Sequence, residues 1–250
     1  MVLSIPHPPN AENKEPSYRA NYLLSLLSES DFNSLIANSN RIFLPSKTVL
    51  HQPNEPIQKV YFPLRGIISL VSASQEGLIA ELATVSNKGM VGIAAFLGGS
   101  FLSSFAVVQT DCIAITLNAD ILRHEFARGG ELQKILLLYT QALFSQTSQN
   151  VFCSCHHTIE QRLARWLLSF SDRLEQRKLL LTQETLADLL GVRRSSLSVV
   201  ANKFRQRNLI DYSRGRIMIQ NPVALRKVAC ECEQIIAAEY FRLMNVSQNY

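Results

Sequence analysis

Seven cationic side chains, Arg193, Arg194, Lys203, Arg205, Arg207, Arg214 and Arg216, stand within one short stretch against a single anion, Asp211. Three hydroxyls, Ser195, Ser196 and Ser198, follow the first two arginines. A guanidinium can take two acceptors at once on a guanine edge in the major groove, and a serine can reach a base edge or a phosphate oxygen without bulk. These residue types in this order are those of a surface that reads duplex nucleic acid. Arg193, Arg194, Ser195, Ser196 and Ser198 are the candidates for base-proximal contact; Lys203, Arg205, Arg207, Arg214 and Arg216 are the candidates for phosphate contact. A solvated charged face, or a fold of the same shape used only for protein contacts, is the competing account.

The second set with chemical potential is soft. "CSCHH" places Cys153, Cys155, His156 and His157 in five residues, and "CEC" adds Cys230 and Cys232. Adjacent ligands on one short segment cannot close a tetrahedral site, and a second, distant pair is normally required. Buried or incidental thiols are the simpler account, so no metal and no cofactor is assigned. The alternative kept open is a metal- or redox-sensing regulator that uses Cys153, Cys155, Cys230 and Cys232. Enzyme chemistry finds no support: the chain has no P-loop, HExxH or nucleophile elbow, and a cupin-type metalloenzyme fails because His51 is the one histidine between Arg41 and Asn118.

The elements that must hold these residues follow from the rest of the pattern. In "LTQETLADLLGVRRSSLSVVANKFRQRNLI", Thr182 is placed to cap a short helix, Gly191 to make the turn, and Val192 to plug it. A second helix from about Arg194 then buries Leu197, Val200, Ala201 and Phe204. "LIDYSRGRIMI" reads as a hairpin wing turning at Gly215. Charge divides with the chain: residues 1–155 hold 10 Lys+Arg against 11 Asp+Glu, and residues 156–250 hold 15 against 9. A near-neutral front and a basic back put a polyanion on the back half. Upstream, short β-branched and aromatic runs between Arg41 and Asn118 predict a β-roll or sandwich. Leu132, Leu136, Tyr139, Leu143, Gln146 and Asn150, continued by Cys153, fall at alternating four- and three-residue steps. That spacing predicts a seam for a symmetric dimer, the alternative being a helix packed on its own β-domain.

The fold class expected is α+β: an N-terminal β-roll (jelly-roll-like), a long dimerisation helix and a C-terminal winged helix-turn-helix. The boundaries are a disordered tail at 1–17, the β-roll domain at 18–128, the dimerisation helix at 129–156 and the DNA-binding domain at 157–250. The start, MVLSIPHPPNAENKEP, has no apolar stretch behind a basic end, and no run is long enough to span a bilayer, so a cytoplasmic location without membrane contact is expected.

The stretches "HQPNEPIQKVYFPLRGIISLV", "NKGMVGIAAFLGG", "IEQRLARWLL", the helix-turn-helix segment, "YSRGRIMI" and the late "CEC" resemble the CRP/FNR family of bacterial transcription regulators, from about Tyr22 to Glu233. The resemblance implies a cyclic-nucleotide-binding-like β-roll, a homodimer, double-stranded DNA read as two half-sites about one helical turn apart, and RNA polymerase as a further partner for an activator. Two departures bear on function. Where members that bind cyclic nucleotides carry a Glu for the ribose and an Arg-Ser pair for the phosphate, "GMVGIAAFLGGSFLSSFAVV" has no acidic residue, and no Arg or Lys occurs from Val91 to Leu122. Ser103 and Ser104 remain, but an uncompensated phosphate in an apolar pocket is costly, so cyclic AMP binding is not expected. In the second helix, Arg194, Ser195 and Val199 stand where the founding activators present Arg, Glu and Arg, so their operator sequence does not carry over. A cyclic-nucleotide-binding module without a DNA role is the remaining alternative.

Overall fold

The computed structural model describes residues 16–213 and 215–246. Residues 1–15 of the expected tail and Arg214 lie outside the described residues. Pro16 and Ser17 belong to the fold: the Pro16 carbonyl accepts from Arg41, and the Ser17 hydroxyl caps the 3-10 turn Tyr18–Ala20.

Two helices follow, α1 (Tyr22–Ser25) and α2 (Glu29–Ala37). Asn21, fully buried, starts the first of them. Its Oδ1 accepts from the Leu23 and Leu24 amides, and its Nδ2 donates to the carbonyls of Pro63 and Gly89 at 2.9 and 2.8 Å. A buried polar group is tolerated when its donors and acceptors are all used, and here one side chain fastens the helical entry to the roll.

The roll comprises β1 (Ser39–Leu44), β2 (Val49–His51), β3 (Lys59–Arg65), β4 (Ile68–Ala73), β5 (Ile79–Val85), β6 (Phe105–Val108) and β7 (Cys112–Asn118). They form an antiparallel three-stranded sheet, β1-β7-β3, and a four-stranded sheet, β2-β6-β4-β5. Alternation in β3 serves two cores. Tyr61 faces the space between the sheets with Leu44, Ile68, Val85 and Ala114. Val60, Phe62 and Leu64 face outward, where α3 (Ala94–Leu97), α4 (Ala119–Ala127) and α5 (Gly130–His156) cover the sheet.

The long helix α5 corrects the dimer seam. Leu132, Leu136, Tyr139 and Leu143 are buried within the chain's own core, and Tyr139 donates its hydroxyl to the Met90 carbonyl at 2.9 Å. Gln146 and Asn150 donate to the carbonyls of Thr84 and Leu82. Apolar periodicity marks a buried stripe without saying what buries it, and this stripe is spent on the β-roll. The face left exposed runs through Leu137, Gln141, Phe144, Ser148, Val151 and Cys155, with Phe144 73% and Val151 59% exposed.

The remainder is α6 (Ile159–Leu174), β8 (Lys178–Leu179), α7 (Gln183–Leu190), α8 (Arg194–Gln206), β9 (Ile210–Ser213), β10 (Arg216–Ile219), α9 (Pro222–Arg226) and α10 (Cys232–Val246). The hairpin β9–β10 is joined by β8 in a third sheet, order β8-β10-β9. The core of this half includes Leu163, Trp166, Phe170, Leu186, Leu197 and Phe204, and it continues into Ile67 and Val71 beside β4 of the roll. The last helix, α10, returns to pack along α5, and Tyr240 hydrogen-bonds the Lys88 carbonyl. Among the described residues no helix is long and apolar enough to cross a membrane.

Candidate nucleic-acid interface

Helices α7 and α8 meet at a turn that depends on Gly191. Its φ is 62°, in the left-handed region, which costs an L side chain strain that glycine escapes. A Cβ there would also stand 3.4 Å from the Ala80 Cβ on β5, so the turn is seated against the roll. Thr182 caps α7 by accepting from the Thr185 amide, and the Val192 amide donates to the Ala187 carbonyl at 2.9 Å.

The start of α8 is different. Arg193 occupies its N-cap position and makes no side-chain capping bond, whereas α6 and α7 are capped by Thr158 and Thr182. The first turn of α8 therefore carries amides with no side-chain cap and the positive end of the helix dipole, a combination that favours a phosphate. Arg193, Arg194 and Ser195 are exposed there, and Ser196 is half-buried. Ser198 is also half-buried, and its hydroxyl donates to Gln183 Oε1 at 2.7 Å, so it fixes α8 on α7 before it meets any ligand. Val199, one residue on, is 69% exposed. It is an apolar group on the outward face, of the kind that contacts a thymine methyl. The buried positions Leu197 and Ala201 on either side turn it outward.

The cations divide into two groups. Lys203 and Arg207 both bind Glu160 on α6, at 2.5 and 2.8 Å, and the Lys203 hydrogen bond first, then the two charges, holds the Glu160 carboxyl below its ordinary range. Arg205 lies 3.7 Å from Asp211. Arg216 is exposed on β10 opposite Ser213, next to the Gly215 turn, where φ is 77°.

The thiols converge elsewhere. Cys153, Cys230 and Cys232 are buried together, apart from the three larger apolar cores. His157 joins them, and the four donor atoms all lie within 4.8 Å of one another. Cys155 is exposed on the other side of α5, and His156 is also exposed. His157 is the C-cap residue of α5, and its amide donates to the Cys153 carbonyl at 3.1 Å, so Cys153 lies beside His157 and not beside its near neighbour Cys155.

In the roll, the cavity where the β4, β6 and α5 surfaces approach is lined by His51, Leu70, Met90, Val91, Leu102, Ser104 and Leu143 among others, and its volume is about 10 Å³. That is room for about one water. Burial dominates at His51 and lowers its pKa, against a hydrogen bond to the Lys59 carbonyl at 2.8 Å.

Two family models match the chain: the cyclic nucleotide-binding domain over residues 41–128 and the Crp-like helix-turn-helix domain over residues 161–228. The chain is 22% identical to a global nitrogen regulator of Synechocystis sp. over 192 residues, covering 72% of this chain and 84% of that one. It is 23% identical to the global nitrogen regulator of Synechococcus elongatus, covering 73% and 86%. Among solved structures, it resembles a putative transcriptional regulator of the crp/fnr family from Eubacterium rectale, with TM-score 0.70, 17% identity and coverage of 84% and 98%. It also resembles FixK2 from Bradyrhizobium japonicum, with TM-score 0.66, 15% identity and coverage of 77% and 98%.

Proposed function

The chain belongs to the CRP/FNR family of DNA-binding transcription regulators, and from that premise we propose that it acts in the cytoplasm as a homodimer that reads a two-fold-symmetric operator without cyclic AMP. The observation that carries the reading is the uncapped N-terminus of α8, flanked by exposed Arg193, Arg194 and Ser195 and followed by exposed Val199. Arg194 and Val199 read base edges, Arg193 and Ser195 serve the edge of the site, and Arg216 holds phosphates on the wing. Its activity is regulation of transcription and not catalysis, and an activating role would place RNA polymerase beside the bound dimer.

The second copy docks on the exposed face of α5. Leu137, Phe144 and Val151 recur at seven-residue steps, with Gln141, Ser148 and Cys155 between and beyond them, over a helix about 40 Å long. Two such helices packed in parallel set two copies of α8 on one side of a duplex, one helical turn apart. The cyclic AMP reading is set aside because the place a nucleotide would take offers Ser104 as its hydroxyl, no cation between Val91 and Leu122, and space for about one water.

Selection of random duplex DNA by the purified protein at near-physiological salt tests the proposal. An enriched palindrome, unchanged by added cyclic AMP, is the expected result. Enrichment that appears only with the nucleotide would overturn the effector part. Binding that stays weak, salt-sensitive and blind to sequence, with cell extract added as well, would overturn the DNA-reading assignment.

A further inference from the structure

We propose that Cys153, His157, Cys230 and Cys232 form a tetrahedral site for one zinc-class divalent ion, which clasps the end of α5 to the start of α10. The geometry is that of a single-ion site. Zinc–sulfur and zinc–nitrogen bonds of about 2.3 and 2.0 Å give tetrahedron edges of about 3.8 Å between sulfurs and about 3.5 Å between sulfur and nitrogen. Cys153 Sγ and Cys230 Sγ stand 3.6 Å apart, and Cys232 Sγ and His157 Nδ1 stand 3.4 Å apart. No other pair exceeds 4.8 Å, so small side-chain rotations close the remaining edges. The donors are too close together to surround a multi-iron cluster. Three thiolates and one imidazole select a borderline-soft ion over calcium or magnesium.

The surroundings suit the ion as well as the donors do. His157 Nε2 lies 3.5 Å from Glu231 Oε1, the carboxylate partner that orients a ligating imidazole. The Gln149 amide donates to Cys232 Sγ at 3.2 Å. A zinc with three thiolates carries one net negative charge, and the Arg165 guanidinium on α6 acts on Cys153 and Cys230 from the side. On binding, each thiol still protonated gives its proton to solvent as its sulfur takes the ion.

The placement gives the site its consequence. Cys153 and His157 belong to the end of the helix that leaves the roll, while Cys230 and Cys232 follow the helix-turn-helix and begin the helix that returns to α5. The ion would close a loop of about 75 residues holding the whole DNA-reading half, and so fix how that half is carried.

The test uses the full chain, stripped of metal under reductant and titrated with cobalt(II), then zinc(II). The expected result is one cobalt per protomer with the visible bands of tetrahedral cobalt and sulfur-to-cobalt charge transfer, bleached by one equivalent of zinc. Cys155→Ser keeps the spectrum. Cys232→Ser weakens binding at least 100-fold, and Glu231→Gln weakens it by about tenfold or more. To keep the test independent of whether Cys232→Ser folds, the melting midpoint of the wild type is also compared with and without zinc; a rise is expected. Weak octahedral cobalt absorption from the reduced wild type, a melting midpoint indifferent to zinc, or loss of the site in Cys155→Ser to the same degree as in Cys232→Ser would overturn the proposal. None of these readouts involves DNA, so the site stands or falls apart from the regulator reading.

Discussion

Arg194 and Arg216 are both exposed arginines of the DNA-reading half, yet they sit in places with different physics. Arg194 opens α8, the position proposed to meet base edges; Arg216 begins a wing strand beside a glycine turn, the position proposed to meet phosphate. Arg194→Ala is therefore expected to cost about 1–3 kcal/mol on the preferred site and to relax preference at one position of each half-site. Arg216→Ala is expected to weaken all duplexes alike and to lower the slope of log affinity against log salt by about one. Filter binding on specific and scrambled duplexes across a salt series checks both; equal loss of preference in the two variants sinks the division. Residue type and order pointed to these exposed positions, because a basic run after a glycine turn is a local pattern. The sequence could not show that Glu160, more than forty residues upstream, engages Lys203 and Arg207, or that Ser198 is held by Gln183. Those are contacts between helices, and no spacing within α8 encodes them.

At the scale of elements, α5 carries two stripes, and they ask for opposite substitutions. Phe144→Glu places a charge on the exposed stripe and disturbs nothing inside the chain; it is expected to give a folded monomer by analytical ultracentrifugation, with specific DNA affinity reduced. Tyr139→Phe leaves the buried Met90 carbonyl without its hydroxyl donor, at a cost of about 1–3 kcal/mol in stability and none in oligomeric mass. A dimeric Phe144→Glu protein would refute the proposed pairing face. Apolar periodicity located α5 and its buried stripe but gave that stripe to the wrong partner, since a heptad reads the same whether a second copy or the chain's own sheet covers it. The same limit hid β8 and α10. Two residues are too few for a strand pattern, and α10 gains its burial by lying on α5 and beside α1, where Tyr22 and Tyr240 rings meet at 6.2 Å. The winged helix and the roll were legible because their turn residues and alternation are local; the packing between them was not.

For the molecule as a whole, the decisive feature is that the two halves share a core and a buried carboxylate. Glu81 on β5 accepts from the Ser69 hydroxyl within the roll and from the Trp166 indole of α6 at 2.8 Å. Burial raises its pKa above the ordinary 4.5, against hydrogen bonds from Ser69, Trp166 and Thr84 and the charge of Arg165, which lower it. Between 4.5 and the raised folded value, the native protein keeps a proton that the unfolded chain has lost. Stability contributed by Glu81 is then present at low pH and falls as pH rises through the folded value. Glu81→Gln removes the titration while keeping the shape of the side chain, so the wild type is expected to lose stability relative to the variant as pH rises through that window. Trp166 is the chain's one tryptophan and sits on the carboxylate, so its emission during urea unfolding reports on this junction directly. A difference between the two proteins that does not change with pH would show that burial leaves the Glu81 carboxyl unshifted. A difference that moves against the wild type as pH rises would show that the seat of α6 on the roll, and with it the carriage of the DNA-reading helix, weakens when this carboxyl ionises.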